Sequence, residues 1–161
     1  MRFEKQGNIY QLSASIKLPI GIDQAWGFLS DPANLKVITP DYMGFNMLSG
    51  AGEKMYAGQI ISYKVSPLLG LKLNWVTEIT HVEKPHYFVD EQRFGPYSLW
   101  HHKHFLKEID KGVEMTDVVH YKLPVSIIGN MLHPFMVKPK LQEIFEYRSK
   151  QLHSLFGTYP E

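Results

Sequence analysis

Two histidines, His102 and His104, stand two residues apart in an alternating run at 98–109, and Asp117 stands in the next such run at 113–123. Alternation along the first run puts Trp100, His102, His104 and Leu106 on one face and Leu99, His101, Lys103 and Phe105 on the other. Each face mixes apolar and polar residues, so period alone leaves open which is inward. If the two runs pair through a tight Lys111-Gly112 turn, Met115, Asp117, Val119 and Tyr121 share a face, with Asp117 near Leu106 and His104 and with Tyr121 opposite His102. A carboxylate buried there needs such a partner.

Imidazoles in this pattern suit general acid and base work, or a hydrogen-bonded pocket wall. Tyr121 offers a hydroxyl to a ligand carbonyl, and Arg148 offers a guanidinium to a ligand carboxylate or to Asp117. A His-x-His pair on a strand can hold zinc with Asp117 as third ligand. With no Cys and no second His pair, neither a metal nor a cofactor is expected. No Gly-x-Ser-x-Gly elbow occurs, and Gly50-Ala51-Gly52 lacks the Lys and the following helix of a phosphate loop. Hydrolase and nucleotide-binding readings therefore fall, and His102, His104 and Asp117 remain the catalytic candidates.

The elements that must position these groups follow from hydrophobic period. Residues 10–18 alternate strictly, with Tyr10, Leu12, Ala14, Ile16 and Leu18 on one face, and predict a half-buried first strand. After Pro19 the spacing of Ile22, Ala25, Trp26 and Leu29 predicts a short amphipathic helix. Asp31-Pro32 reads as an N-cap with proline at the first helical position, opening a second short helix that Thr39-Pro40 ends. Extended runs follow at 44–48, 59–66, 71–82, 87–94, 98–109 and 113–123. Their separators are turn formers: Gly50-Ala51-Gly52, residues 67–70, Lys84-Pro85, Gly95-Pro96 and Asp110-Lys111-Gly112. Leu141, Ile144, Phe145, Arg148, Leu152, Leu155 and Phe156 share a broad face of a final, longest helix. The fold class expected is α+β: a seven-stranded curved antiparallel sheet around a long C-terminal helix, with two short helices after the first strand.

The 161 residues fit a single domain spanning 1–161, and a hydrophobic share of 44% suits a buried core. Seventeen Lys and Arg against sixteen Asp and Glu leave a net charge of +1 without a dense basic run, which argues against nucleic acid as a partner. The absence of Cys agrees with a reducing compartment. The charged segment 1–7 lacks an apolar leader and no apolar stretch could span a bilayer, so a cytoplasmic protein without integral membrane association is expected. Aromatic residues reach 13%, which suits a roomy pocket lining, although any single aromatic is more commonly core.

Three stretches resemble the START-like, or SRPBCC, superfamily, specifically its small bacterial ligand-binding group related to polyketide cyclases. They are the helix pair from Ala25 to Leu35 continuing to Ile38-Thr39-Pro40, the hairpin from Gly95-Pro96-Tyr97 through Trp100, His102 and His104 to Pro124, and Ile144-Phe145-Glu146-Tyr147-Arg148. The resemblance implies a helix-grip fold and places Trp100, His102, His104 and Leu106 inward. With the pairing and helix faces above, the ligand-contacting set expected is Trp75, Trp100, His102, His104, Leu106, Asp117, Val119, Tyr121, Phe145 and Arg148. Pro134 and Pro139 depart from the pattern where the last helix usually begins, and predict a kink or a late start. The stretch from Leu132 to Met136 then reads as a pocket gate or an ordinary ordered loop.

Three functions follow. The first is binding or carriage of a small, largely apolar molecule that is lipid-like, isoprenoid-like or aromatic. The second is a cyclase or dehydratase, in which His102 or His104 removes a proton alpha to a carbonyl and Tyr121 or Arg148 stabilises the enolate. The third is a protein-interaction domain, for which the outward residues His101, Lys103 and His120 would matter more.

Overall fold

The computed structural model describes residues 1–50, 52, 54–66, 72–124 and 133–160. The turn expected at 67–70, the start of the 71–82 strand, Ala51 and Leu132 lie outside the described residues.

Eight strands form one antiparallel sheet: β1 (Arg2–Gln6), β2 (Ile9–Leu18), β3 (Asn46–Ser49), β4 (Ile60–Val65), β5 (Leu73–Glu83), β6 (Tyr87–Phe94), β7 (Leu99–Ile109) and β8 (Gly112–Lys122), in the spatial order β1-β2-β8-β7-β6-β5-β4-β3. The expected count of seven is corrected by β1, which pairs with β2 across a turn where Gly7 has φ +60°. Arg2–Gln6 carries no apolar alternation, because β1 is an edge strand and only Phe3 packs on the core, so period could not reveal it.

The helical expectations change in part. Ile22–Leu29 is an α-helix, α1, which buries Ile22, Ala25, Trp26 and Leu29. The Asp31 carboxylate accepts from the Ala33 amide at 2.9 Å as an N-cap, but the segment it opens, Pro32–Lys36, is a 3-10 helix rather than an α-helix. Over these five residues the backbone closes i→i+3 bonds, such as Asn34 N to Asp31 O at 3.0 Å. A further 3-10 turn, Asp41–Met43, closes on Gly44 at φ +54°.

The last helix, α2 (Lys138–Phe156), starts late, as its prolines require: Pro139 sits in the first turn, where its missing N–H costs nothing, and a π-helical turn, His133–Val137, holds Pro134. Leu141, Phe145 and Leu152 face the sheet, while Leu155 is exposed. Among the described residues, no helix is long and apolar enough to cross a membrane.

The β7–β8 register differs from the expected one by two residues. The turn is Asp110-Lys111, with Lys111 at φ +59°, so Trp100 pairs with Tyr121, His102 with Val119, His104 with Asp117 and Leu106 with Met115. Tyr121 therefore does not face His102. Gly112 is glycine for another reason: a Cβ there would lie 2.1 Å from the Leu18 carbonyl oxygen of β2. A shift of two residues preserves every face, because strand side chains repeat with period two.

Candidate functional site

Between the concave face of the sheet and α2 lies a cavity of about 180 Å³. Its walls are mostly apolar, among them Ile61, Ile79, Phe88, Leu141 and Phe145, with an aromatic end built from Tyr63, Trp75, Tyr97 and Trp100. Trp75 and Trp100 meet edge to face at 5.4 Å between centroids, and Tyr63 stacks on Trp75 at 6.0 Å. The Trp75 Nε1 donor is buried and, among the described residues, has no hydrogen-bond partner. Leaving such a donor unmet costs about 1–3 kcal/mol.

The charged groups on one side of the cavity come from β6 and β7, backed by β8. Register places Asp90 of β6 opposite His102 of β7, and His104 of β7 opposite Asp117 of β8. Long side chains on one face also reach the diagonal neighbour. Asp117 Oδ1 lies 2.9 Å from both His102 Nε2 and His104 Nδ1, while Asp90 Oδ2 lies 2.8 Å from His104 Nε2 and 3.5 Å from His102 Nδ1. Arg148 reaches in from α2, with Nη2 3.3 Å from Asp117 Oδ1 and 3.5 Å from His104 Nδ1. His102, His104 and Asp117 are all buried.

Burial would raise the Asp117 carboxyl, but the Arg148 charge and the two imidazoles hold it well below the usual carboxylate range. Asp90 is likewise held below its ordinary value, because its imidazole partners outweigh burial. The two imidazoles diverge. Burial and the neighbouring His104 push His102 down, whereas hydrogen bonds donated to Asp117 and Asp90 outweigh burial at His104 and hold it up.

Of the residues expected to meet a ligand, Trp75, Trp100, His102, His104, Phe145 and Arg148 line the cavity. Asp117 stands behind the imidazoles and opens on the far side of α2 beside Ala14 and Ser149. Leu106, Val119 and Tyr121 are buried in the core clusters rather than in the cavity wall. The Tyr121 hydroxyl is occupied by His133 Nε2 at 2.7 Å, and the His133 ring stacks on Tyr10 at 3.7 Å. The segment read as a gate thus supplies a core contact at His133, while its Phe135 is exposed.

Asp90 went unnoticed in the sequence, yet a signal existed. Pairing the runs on either side of Gly95-Pro96-Tyr97 symmetrically about Pro96 sets Asp90 against His102, as the register does. On the outer face, His101 Nδ1 lies 3.0 Å from Glu91 Oε1.

No family model matches the chain, and no curated protein matches it. Solved structures do. Protein Ms6760 from Mycobacterium smegmatis is similar with a TM-score of 0.66 at 18% identity, over 96% of each chain. Ara h 8.0201 is similar with a TM-score of 0.58 at 15% identity, over 91% of this chain and 99% of that one. Ginseng major latex-like protein 151 from Panax ginseng is similar with a TM-score of 0.63 at 9% identity, over 93% of this chain and 99% of that one. Identities this low speak for the fold alone, and that fold is the helix-grip: a curved antiparallel sheet closed on a C-terminal helix.

Proposed function

We propose that the protein binds a small, largely apolar molecule whose polar end is met by His102, His104 and Arg148. In this reading the whole chain is one START-like domain, akin to the small bacterial group related to polyketide cyclases. The observation that carries it is a mostly apolar cavity whose titratable groups Asp90, His102, His104 and Arg148 form one cluster, with an unmet indole donor, Trp75 Nε1, in its lining. Ligand sites combine an apolar lining with a few convergent polar groups in this way.

Size narrows the class. A dry apolar cavity of about 150 Å³ takes benzene, so about 180 Å³ favours a molecule of one or two rings over a long lipid chain. Trp75, Trp100 and Phe145 would contact its rings, and a carbonyl or carboxylate would face the imidazoles and Arg148. Leu106, Val119, Tyr121 and Asp117 would act from behind the wall, by packing it or by orienting it.

Native mass spectrometry and thermal shift against acetophenone, benzoate, 2-naphthoate and octanoate test this. Ring compounds should stabilise the protein more than octanoate, and Arg148→Met should selectively weaken the carboxylates. A panel with no stabilising member would sink the proposal.

The divergence of the two imidazoles favours a second reading, a cyclase or dehydratase. Neighbouring groups pushed apart in pKa can serve as acid and base in one reaction. Solvent-proton exchange alpha to the carbonyl of bound acetophenone should then occur and vanish in His102→Ala or His104→Ala. Exchange unchanged in both variants would remove their catalytic role.

A further inference from the structure

Two neutral rings do not fill the contacts around the imidazoles. Each ring spans both carboxylates, which makes four imidazole–carboxylate contacts in all. Neutral imidazole carries a single N–H, and a carboxylate only accepts. Two neutral rings therefore leave two ring lone pairs facing carboxylate oxygen. Protonating both rings would fill every contact, but it would press two buried like charges together with ring centroids 3.7 Å apart.

Protonating His104 alone meets every contact except the 3.5 Å one between His102 Nδ1 and Asp90, and a cation on the Asp90 side is an alternative that needs no added proton. When each ring directs its N–H at Asp117, through His102 Nε2 and His104 Nδ1, the shared carboxylate accepts both at 2.9 Å. Three acceptors, His102 Nδ1, His104 Nε2 and Asp90 Oδ2, are then left on the other side, and Asp90, His102 and His104 each offer one ligand atom within 4.8 Å of the others. The two separations from Asp90 Oδ2 are 2.8 and 3.5 Å. Ligand atoms about 2.0–2.1 Å from a metal stand about 2.9–3.4 Å apart, depending on whether the geometry is octahedral or tetrahedral. Small side-chain rotations bridge that difference.

We propose that Asp90 Oδ2, His102 Nδ1 and His104 Nε2 form a binding site for a divalent transition-metal ion, with Asp117 as the common outer partner of both imidazoles. Metal-bound histidines ordinarily donate their other N–H to a carboxylate, which fixes the tautomer and the ring plane. Here one carboxylate does this for both rings, and Arg148 balances its charge. Imidazole and carboxylate donors without thiolate suit Zn²⁺ or Fe²⁺. The three donors line the cavity while Asp117 lies behind them, so the open coordination positions would face the bound molecule. The set differs from the His102, His104 and Asp117 combination that spacing alone suggests, because Asp117 is spent on the far ring nitrogens.

This goes beyond the ligand-binding reading, since the cation is its own probe. The full chain, stripped with a chelator and dialysed, is titrated with Co²⁺ alone. Wild type should take up one equivalent and develop a visible ligand-field band. Asp90→Asn and His104→Ala should lose the band, Asp117→Asn should keep it with about 10–100-fold weaker binding, and His101→Ala on the outer face should match wild type. Far-UV circular dichroism checks that each variant folds, and the wild-type titration stands without them. No band in wild type overturns the proposal, and so does a band undiminished in folded Asp90→Asn and His104→Ala. Ring compounds that still bind the chelator-treated protein would leave the ligand-binding reading intact while this one falls.

Discussion

The imidazoles of His102 and His104 lie 3.7 Å apart, centroid to centroid, and span the same two carboxylates in opposite senses. His102 presents Nε2 to Asp117 and Nδ1 to Asp90, whereas His104 presents Nδ1 to Asp117 and Nε2 to Asp90. Their proximity makes them one coupled acid–base unit. As pH falls in metal-free protein, the first proton should reside mainly on His104, because its carboxylate hydrogen bonds outweigh burial while His102 is pushed down. Long-range proton–nitrogen spectra of the two rings across pH check the order. First protonation at His102 would contradict it.

Arg148 and Asp117 form the buried ion pair on which the cluster rests. Arg148→Met should cost about 3–5 kcal/mol near neutral pH, since it leaves a carboxylate buried without its cation. The sign of the pH dependence follows. Asp117 is depressed in the folded state, so its contribution is present above its unfolded pKa and is lost as pH falls below about 4. The gap between wild type and Arg148→Met should therefore narrow in acid, as read by urea unfolding at pH 7 and pH 3.

His133 gives a test of the same sign at higher pH, away from the cavity. Burial, with Lys138 and Lys5 nearby, lowers its pKa to about 4. A depressed histidine contributes stability above its unfolded pKa of about 6.5, and that contribution drains away as pH falls toward about 4. His133→Gln should flatten this part of the stability profile between pH 6.5 and 4, measured as the difference between variant and wild-type melts. Tyr121→Phe leaves His133 Nε2 without its partner and should cost about 1–3 kcal/mol without weakening ring-compound binding.

Phe145 is 6% exposed and joins the core to the cavity wall. Phe145→Ala should cost about 3–5 kcal/mol and widen the cavity. Binding should shift from one-ring toward larger probes, whereas Leu12→Ala, at a fully buried site outside the cavity wall, should destabilise without changing that preference. Isothermal titration of both variants with benzoate and 2-naphthoate checks the split.

Much of the sheet side of the site was legible because face membership needs only period two. Trp100, His102 and His104 could be grouped on one face from alternation before any partner strand was known. The β7–β8 partners were not legible: Gly112 looks like a turn glycine, but it is small to admit the Leu18 carbonyl, and Lys111 takes the positive φ instead. Asp90 was hidden for a related reason. It sits in a run of four polar residues, Asp90-Glu91-Gln92-Arg93, that nothing in its own strand singles out, and its role appears only when the Gly95-Pro96-Tyr97 hairpin is paired residue by residue. Helix residues Phe145 and Arg148 were readable from helical period, while the π-helical turn before them depends on how His133 settles against Tyr10 and Tyr121.

The most direct test of the cavity account is a methyl-resolved proton–carbon titration of the wild-type protein with 2-naphthoate. Shifts should concentrate at Met43, Ile61, Ile79 and Ile144, which line the cavity, with Leu12 and Val113 of the surrounding core little changed. Shifts confined to methyls outside the cavity, or no shift at saturating probe, would contradict it.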